Sequence, residues 1–138
     1  RIMNIRKIYS RQDDTFLLDD LLGDFYDELQ AYHNNLFMNY AEDLILDDSS
    51  YFILDESNTI IGFYSLTPYN SHILRYLYIK PEYRGMNYGT SIIEHLLKEN
   101  QTLKLNCSIN NKNGISFYNK FNNSKTVNDD EVTYELKI

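Results

Sequence analysis

YLYIKPEYRGMNYGTSIIEHLLKE, residues Tyr76 to Glu99, holds three physical units in direct succession. An apolar, aromatic run, Leu74 to Ile79, ends at Lys80-Pro81. A short turn with Arg84, Gly85 and Gly89 follows. Ile92, Ile93, Leu96 and Leu97 then recur at helical spacing, with Glu94, His95, Lys98 and Glu99 on the other face. The pattern predicts strand, tight turn and helix N-terminus. A helix N-terminus presents unpaired N–H groups and about half a positive charge. With glycines that let the backbone approach closely, this unit suits a phosphate or pyrophosphate.

The flanking sequence supplies the other elements. Met3–Tyr9 reads as a first strand, and Asp13 or Asp14 as the cap of a helix starting near Thr15. Gly23 is expected to interrupt that helix. A second helical pattern carries Phe25, Leu29, Tyr32, Leu36, Phe37 and Tyr40 on one face, with Ala41–Leu46 extending it. Tyr51–Leu54 and Thr59–Thr67 form a hairpin around Asp55-Glu56-Ser57-Asn58. His72–Ile79 is a fourth strand, Asn87–Asn100 a helix, and Leu103–Ile109 a fifth strand. Ile115, Phe117, Tyr118 and Phe121 mark a short helix, and Val127 to Ile138 closes the chain as strand material. No internal repeat, linker or low-complexity segment is present, so the 138 residues, 1–138, read as a single domain.

Charge is divided along the chain. Gln12 to Leu74 carries thirteen acids and no Lys or Arg, whereas Arg75 to Ile138 carries nine bases and seven acids. The basic half suits an anionic ligand. The acidic half disfavours nucleic acid and would attract a cationic substrate, or simply forms solvated helix faces. No run approaches a membrane span, nothing at Arg1–Ser10 resembles a signal segment, and Cys107 is the one cysteine. These features lead to the expectation of a cytoplasmic protein without a membrane partner. No His, Cys, Asp or Glu spacing suggests a metal.

Tyr76–Glu99 resembles the cofactor-binding segment of the GNAT superfamily of acetyl-CoA-dependent N-acetyltransferases. Ile79-Lys80-Pro81 stands for V-x-P, and Arg84-Gly85-Met86-Asn87-Tyr88-Gly89 for R-G-x-G-x-G. Asn87 replaces a usual glycine, and Asn is the next-best residue for a left-handed backbone. Asn110–Asn122, NNKNGISFYNKFN, is similar to the family's second motif, with Asn111, Gly114, Phe117, Tyr118 and Lys120 at matching or nearly matching positions. Asn122-Asn123 replaces its usual G-F. The resemblance covers Tyr51 to Ile138 by motif and the first fifty residues by element order.

The resemblance implies an α/β (α+β) fold: a mixed, mostly antiparallel twisted sheet of six to seven strands with about four helices, strands four and five splayed. The N-terminal helical pair would border the acceptor site. It also implies acetyl-CoA as cosubstrate and an amine-bearing acceptor, a small molecule or a peptide. The pyrophosphate would meet the N–H groups of Arg84, Gly85, Met86, Asn87, Tyr88, Gly89 and Thr90, with the Arg84 side chain and the Thr90 hydroxyl adding contacts. The main chain of Leu77 and Ile79 would pair with the pantetheine arm, and Asn111 would hydrogen-bond it. Lys120 stays open between a cofactor phosphate and solvent.

Tyr118 matches the family's general acid. A phenol of pKa about 10 is protonated at neutral pH and can donate to a thiolate whose conjugate acid lies near 8.5. Deprotonating a lysine-like amine at pH 7 costs about 4–5 kcal/mol and an α-amine about 1, so the need for a base depends on the acceptor. His72, Tyr76, Tyr78, Asp55 and Glu56 are the relays at hand. Cys107 has a nucleophile reading and a buried strand reading. Two rival functions stand beside N-acetyl transfer: a non-catalytic acyl-CoA-binding sensor, and a P-loop or Rossmann nucleotide binder, which lacks G-K-S/T and repeated βαβ units. A homodimer, the acceptor and the base are left open.

Overall fold

The computed structural model describes residues 4–32 and 40–138. Met3, Leu36 and Phe37, which figure in the expectations above, lie outside the described residues.

The order is β1 (Asn4–Lys7), α1 (Gln12–Leu29), α2 (Ala41–Leu46), β2 (Ser50–Leu54), β3 (Ile60–Thr67), β4 (Asn70–Ile79), a 3-10 turn (Pro81–Tyr83), α3 (Tyr88–Asn100), β5 (Thr102–Ser108), α4 (Lys112–Asn119), β6 (Asn123–Asn128) and β7 (Glu131–Lys137). Seven strands form one open sheet in the order β1-β2-β3-β4-β5-β7-β6. β4 and β5 are parallel, and the other neighbours are antiparallel. The parallel pair needs a crossover, which α3 supplies.

Side chains alternate across the sheet. Phe52, Phe63 and Tyr78 face one core with Leu18, Leu22 and Phe25 of α1 and Leu44 of α2. Ile53, Tyr64, Leu103, Leu105 and Tyr134 face another with Ile92, Ile93 and Leu96 of α3. Ile115, Phe117 and Tyr118 of α4 pack on this second core while staying partly exposed. Each large apolar side chain buried this way contributes about 1.5–3 kcal/mol.

α1 does not break at Gly23 and runs unbroken to Leu29. One glycine costs a helix about 1 kcal/mol, which the burial of Leu18, Leu21, Leu22, Phe25 and Tyr26 outweighs. The helix also begins before Thr15, at Gln12, with Arg11 at the cap position. Asp14 is no cap: it lies within the first turn, buried, accepting from Tyr9 N–H at 3.0 Å and Arg6 Nη1 at 3.2 Å. A carboxylate there is favoured by the helix dipole. α2 starts afresh after an extended Tyr40 (φ −81°, ψ 157°). Among the described residues no helix is long and apolar enough to cross a membrane.

Two departures from regular pairing prepare the site. Ser65 opposes Tyr76 and Leu66 opposes Leu74, so Arg75 is an extra residue in β4, a bulge. β5 then pairs with β4 at one position, Ile73 with Lys104. Beyond Ile73, β4 continues along β3 to Ile79 while parting from β5. The parting leaves one edge of β4 without a strand among the described residues.

Candidate active site

A cleft of about 550 Å³ opens where β4 and β5 part. Leu77, Tyr78 and Ile79 of β4 line it, with the turn into α3 at one end and α4 along one wall. The other wall is α1 and the residues after it, through Phe25, Glu28, Leu29 and Tyr32.

The turn takes its shape from two left-handed residues, Gly85 (φ 75°) and Asn87 (φ 74°, ψ 10°). Asn tolerates this conformation better than other side-chain-bearing residues. Ser91 N–H donates to Asn87 O at 3.1 Å, opening the ladder of α3. The N–H groups of Gly89 and Thr90 precede that bond and have no carbonyl of the helix to meet. Both residues line the cleft, so the dipole of α3 favours an anion there.

The remaining sequence-predicted residues divide. Arg84, Gly85, Asn87, Tyr88, Gly89, Thr90, Asn111 and Tyr118 line the same cleft as Leu77 and Ile79. Met86 does not line it, and its side chain is exposed. Tyr88 is buried and donates its hydroxyl to Glu56 at 2.7 Å, tying the turn to the β2–β3 hairpin. Asn111 caps α4, its Oδ1 accepting from Gly114 N–H at 3.0 Å. Lys120 also lines the cleft, its ammonium 5.0 Å from the Phe117 ring centre.

Arg84 is engaged within the protein. Its Nε donates to Ile79 O at 2.8 Å, and its guanidinium lies 5.5 Å from the Tyr78 ring centre. Its Nη2 donates to both oxygens of Glu28, each at 2.8 Å. The two side chains keep 45% and 37% of their surface exposed. An ion pair this open contributes about 0–1 kcal/mol.

The Tyr118 ring meets Phe117 at 5.0 Å and Tyr134 at 5.7 Å between centroids. Burial raises its phenol above the ordinary tyrosine range, and Cys107 and Tyr134 raise it further. Among the described residues nothing hydrogen-bonds its hydroxyl. Such a phenol is neutral at physiological pH and can give a proton to a stronger base. Burial, and after it the carboxylates Glu28 and Asp24, push Tyr78 up to about 12.

Cys107 is buried, and burial, with a smaller contribution from Glu131, pushes its thiol up to about 11. Roughly one molecule in ten thousand would carry the thiolate at pH 7, the form a nucleophile needs. Asp55 is taken by the N–H groups of Ser57 and Thr59, and Glu56 by Tyr88. His72 is exposed, and Tyr76 packs on Phe25 and Tyr26. Of the five relays, only Tyr78 lines the cleft.

Glu28 is, among the described residues, the one carboxylate lining the cleft, and nothing in its local sequence singles it out. In sequence it is one of thirteen acids between Gln12 and Leu74, distinguished only by its position one turn after Asp24 and three residues after Phe25. Phe25 and Tyr32, residues of the helical stripe in sequence, are also cleft walls.

A parted parallel pair within an open mixed sheet, with a glycine turn leading into a helix at the parting, defines an acetyltransferase-type α/β fold. The chain belongs to the acetyltransferase (GNAT) family, whose sequence pattern matches residues 9–122. Among solved structures, PaiA N-acetyltransferase from Thermoplasma acidophilum in complex with coenzyme A is similar, with a TM-score of 0.74 and 20% identity over 100% of both chains. The ribosomal-protein-S18-alanine N-acetyltransferase of Escherichia coli has a TM-score of 0.67 and 14% identity, covering 99% of this chain and 94% of its own. Spermidine N-acetyltransferase from Vibrio cholerae in complex with CoA and spermine has a TM-score of 0.65 and 14% identity, covering 96% and 93%. At these identities the likeness is one of fold. No curated protein sequence matches the chain.

Proposed function

We propose that this single-domain protein is a cytoplasmic N-acetyltransferase that moves the acetyl group of acetyl-CoA to a primary amine within a ternary complex. One observation carries the reading. The anion-favouring turn at residues 85–90 lines one cleft with Tyr118, whose hydroxyl has no partner among the described residues, and with the stretch of β4 that none of the described strands joins after Ile73 on the β5 side.

The main chain and N–H groups of the turn would hold the diphosphate, and the edge of β4 at Leu77 and Ile79, where Arg84 already holds the Ile79 carbonyl, would align the pantetheine arm. Acetyl-CoA supplies the activated acyl group. A neutral amine attacks the thioester carbonyl carbon, a C–N bond forms and the C–S bond breaks. Tyr118 gives its proton to the departing sulfur and is restored by the proton lost from the amine, carried through solvent.

The acceptor is a small cationic amine or a protein or peptide amine. Similar folds include a spermidine and a ribosomal-protein alanine N-acetyltransferase, and the acceptor-side wall carries Glu28 on an acidic α1.

Thiol release from acetyl-CoA, followed across diamines, polyamines and peptides with a free α-amine, tests the proposal. Turnover is expected with at least one of them. Tyr118→Phe should lower kcat about a hundredfold and leave the KM for acetyl-CoA within about threefold. Tight coenzyme A binding with no turnover on any amine would replace this reading with that of a non-catalytic acyl-CoA sensor.

A further inference from the structure

Arg84 and Glu28 meet at the cleft, one from the turn before α3 and the other from α1. Both line the cleft, so neither is a remote surface residue. The way they meet is informative. A strong arginine–carboxylate pair sets two nitrogens against two oxygens. Here the second nitrogen, Nε, is given to Ile79 O, and both Glu28 oxygens crowd onto Nη2 alone. Each partner is also about two-fifths exposed, so water screens the attraction. Nε anchors the guanidinium while Nη2 can change partner without moving the backbone.

We infer that Glu28 and the diphosphate of the acyl-CoA compete for Arg84, and that cofactor binding thereby frees Glu28 to receive the ammonium of the acceptor. The inference rests on the acetyltransferase reading above. A diphosphate seated at Gly85 to Thr90 would carry more negative charge than one carboxylate. It would also gain the N–H groups of the α3 N-terminus, which Glu28 does not use. Arg84 is the guanidinium beside that turn and turns from Glu28 to the phosphate oxygens. Glu28 is then a carboxylate without its arginine, lining the cleft together with Phe25, Tyr32 and Tyr78. A carboxylate in a cleft that aromatic side chains also line attracts an ammonium group. In the free protein Arg84 already neutralises that carboxylate, so the acceptor site is weak until the cofactor arrives. By linkage, each ligand then strengthens the other by the same factor.

Calorimetric titration with coenzyme A on Glu28→Gln, Arg84→Gln and the double variant provides the test. Glu28→Gln should bind coenzyme A about three- to tenfold more tightly than the parent, because Arg84 is released in advance. Arg84→Gln should bind it about tenfold more weakly, and adding Glu28→Gln to Arg84→Gln should change nothing further. Unchanged or weakened binding by Glu28→Gln would mean that the pair is a strut, and would overturn the inference. A gain that persists without Arg84 would mean simple removal of negative charge, and would overturn it too. With the fastest amine of the turnover panel, Glu28→Gln should raise the amine KM at least tenfold while lowering that for acetyl-CoA. An unchanged amine KM would remove the acceptor half of the inference. Failure of the parent protein to bind coenzyme A would instead overturn the acetyltransferase reading itself.

Discussion

The Phe117 ring closes on Gly89. A Cβ added at Gly89 would lie 3.2 Å from Phe117 Cζ and 3.5 Å from Cε1. The first turn of α3 and the helix that carries Tyr118 are therefore in contact through a position where a methyl group would make the Phe117 ring give by a few tenths of an ångström. Gly89→Ala would gain about 1 kcal/mol of helix propensity and lose a similar amount by crowding the ring. Thermal unfolding should shift by no more than a few degrees. The KM for acetyl-CoA, in contrast, should rise severalfold, because Phe117 must turn and the cleft wall moves with it. Steady-state kinetics beside a thermal melt would separate the two effects.

Gly62 presents a harder limit. Its Cβ would fall 2.0 Å from Tyr78 O, a backbone atom that no rotamer can move. Gly62 pairs with Ile79, at the end of β4 that floors the cleft. Gly62→Ala should therefore cost at least about 3 kcal/mol, read as a lower urea midpoint. Gly85→Ala makes the control: its Cβ meets open space, and only its φ of 75° resists. That strain is worth about 1–2 kcal/mol.

Alkaline stability follows from the tyrosines. The phenols of Tyr64, Tyr78, Tyr118 and Tyr134 are all raised from 10.0, each chiefly by burial, and Tyr78 stands at about 12. In the unfolded chain they release protons near pH 10, whereas in the fold they retain them. Their contribution is complete below pH 10 and is lost as pH rises from there through the folded values. The melting temperature should thus fall steeply above pH 10. Through pH 9 Tyr118 should remain protonated, and activity should show no loss from its ionisation. A series of melts and rates from pH 7 to 11 measures both.

Much of the architecture was legible because its causes are local. Leu103, Leu105 and Cys107 alternate in sequence and are buried together. Ile92, Ile93, Leu96 and Leu97 recur at helical spacing and are buried as one stripe of α3. Asn87 adopts the left-handed conformation that its short polar side chain tolerates. The errors at Gly23 and Asp14 have a common origin. Propensity and capping rules weigh a residue against its neighbours in sequence, but Gly23 is carried by the core contacts around it. Asp14 is held by Arg6 and Tyr9, which lie outside the helix.

Within this chain, the turn and the helix behind it are decided by sterics and hydrogen bonding over a few adjacent residues, so residues 76 to 99 carried that information unaided. The parting of β4 from β5 after Ile73 and the meeting of Glu28 with Arg84 were decided by tertiary structure alone. Those two side chains are 56 positions apart in the chain. Only after the sheet has set α1 against β4 do they come within 2.8 Å, and no pattern of neighbouring residues encodes which of the acids that will be.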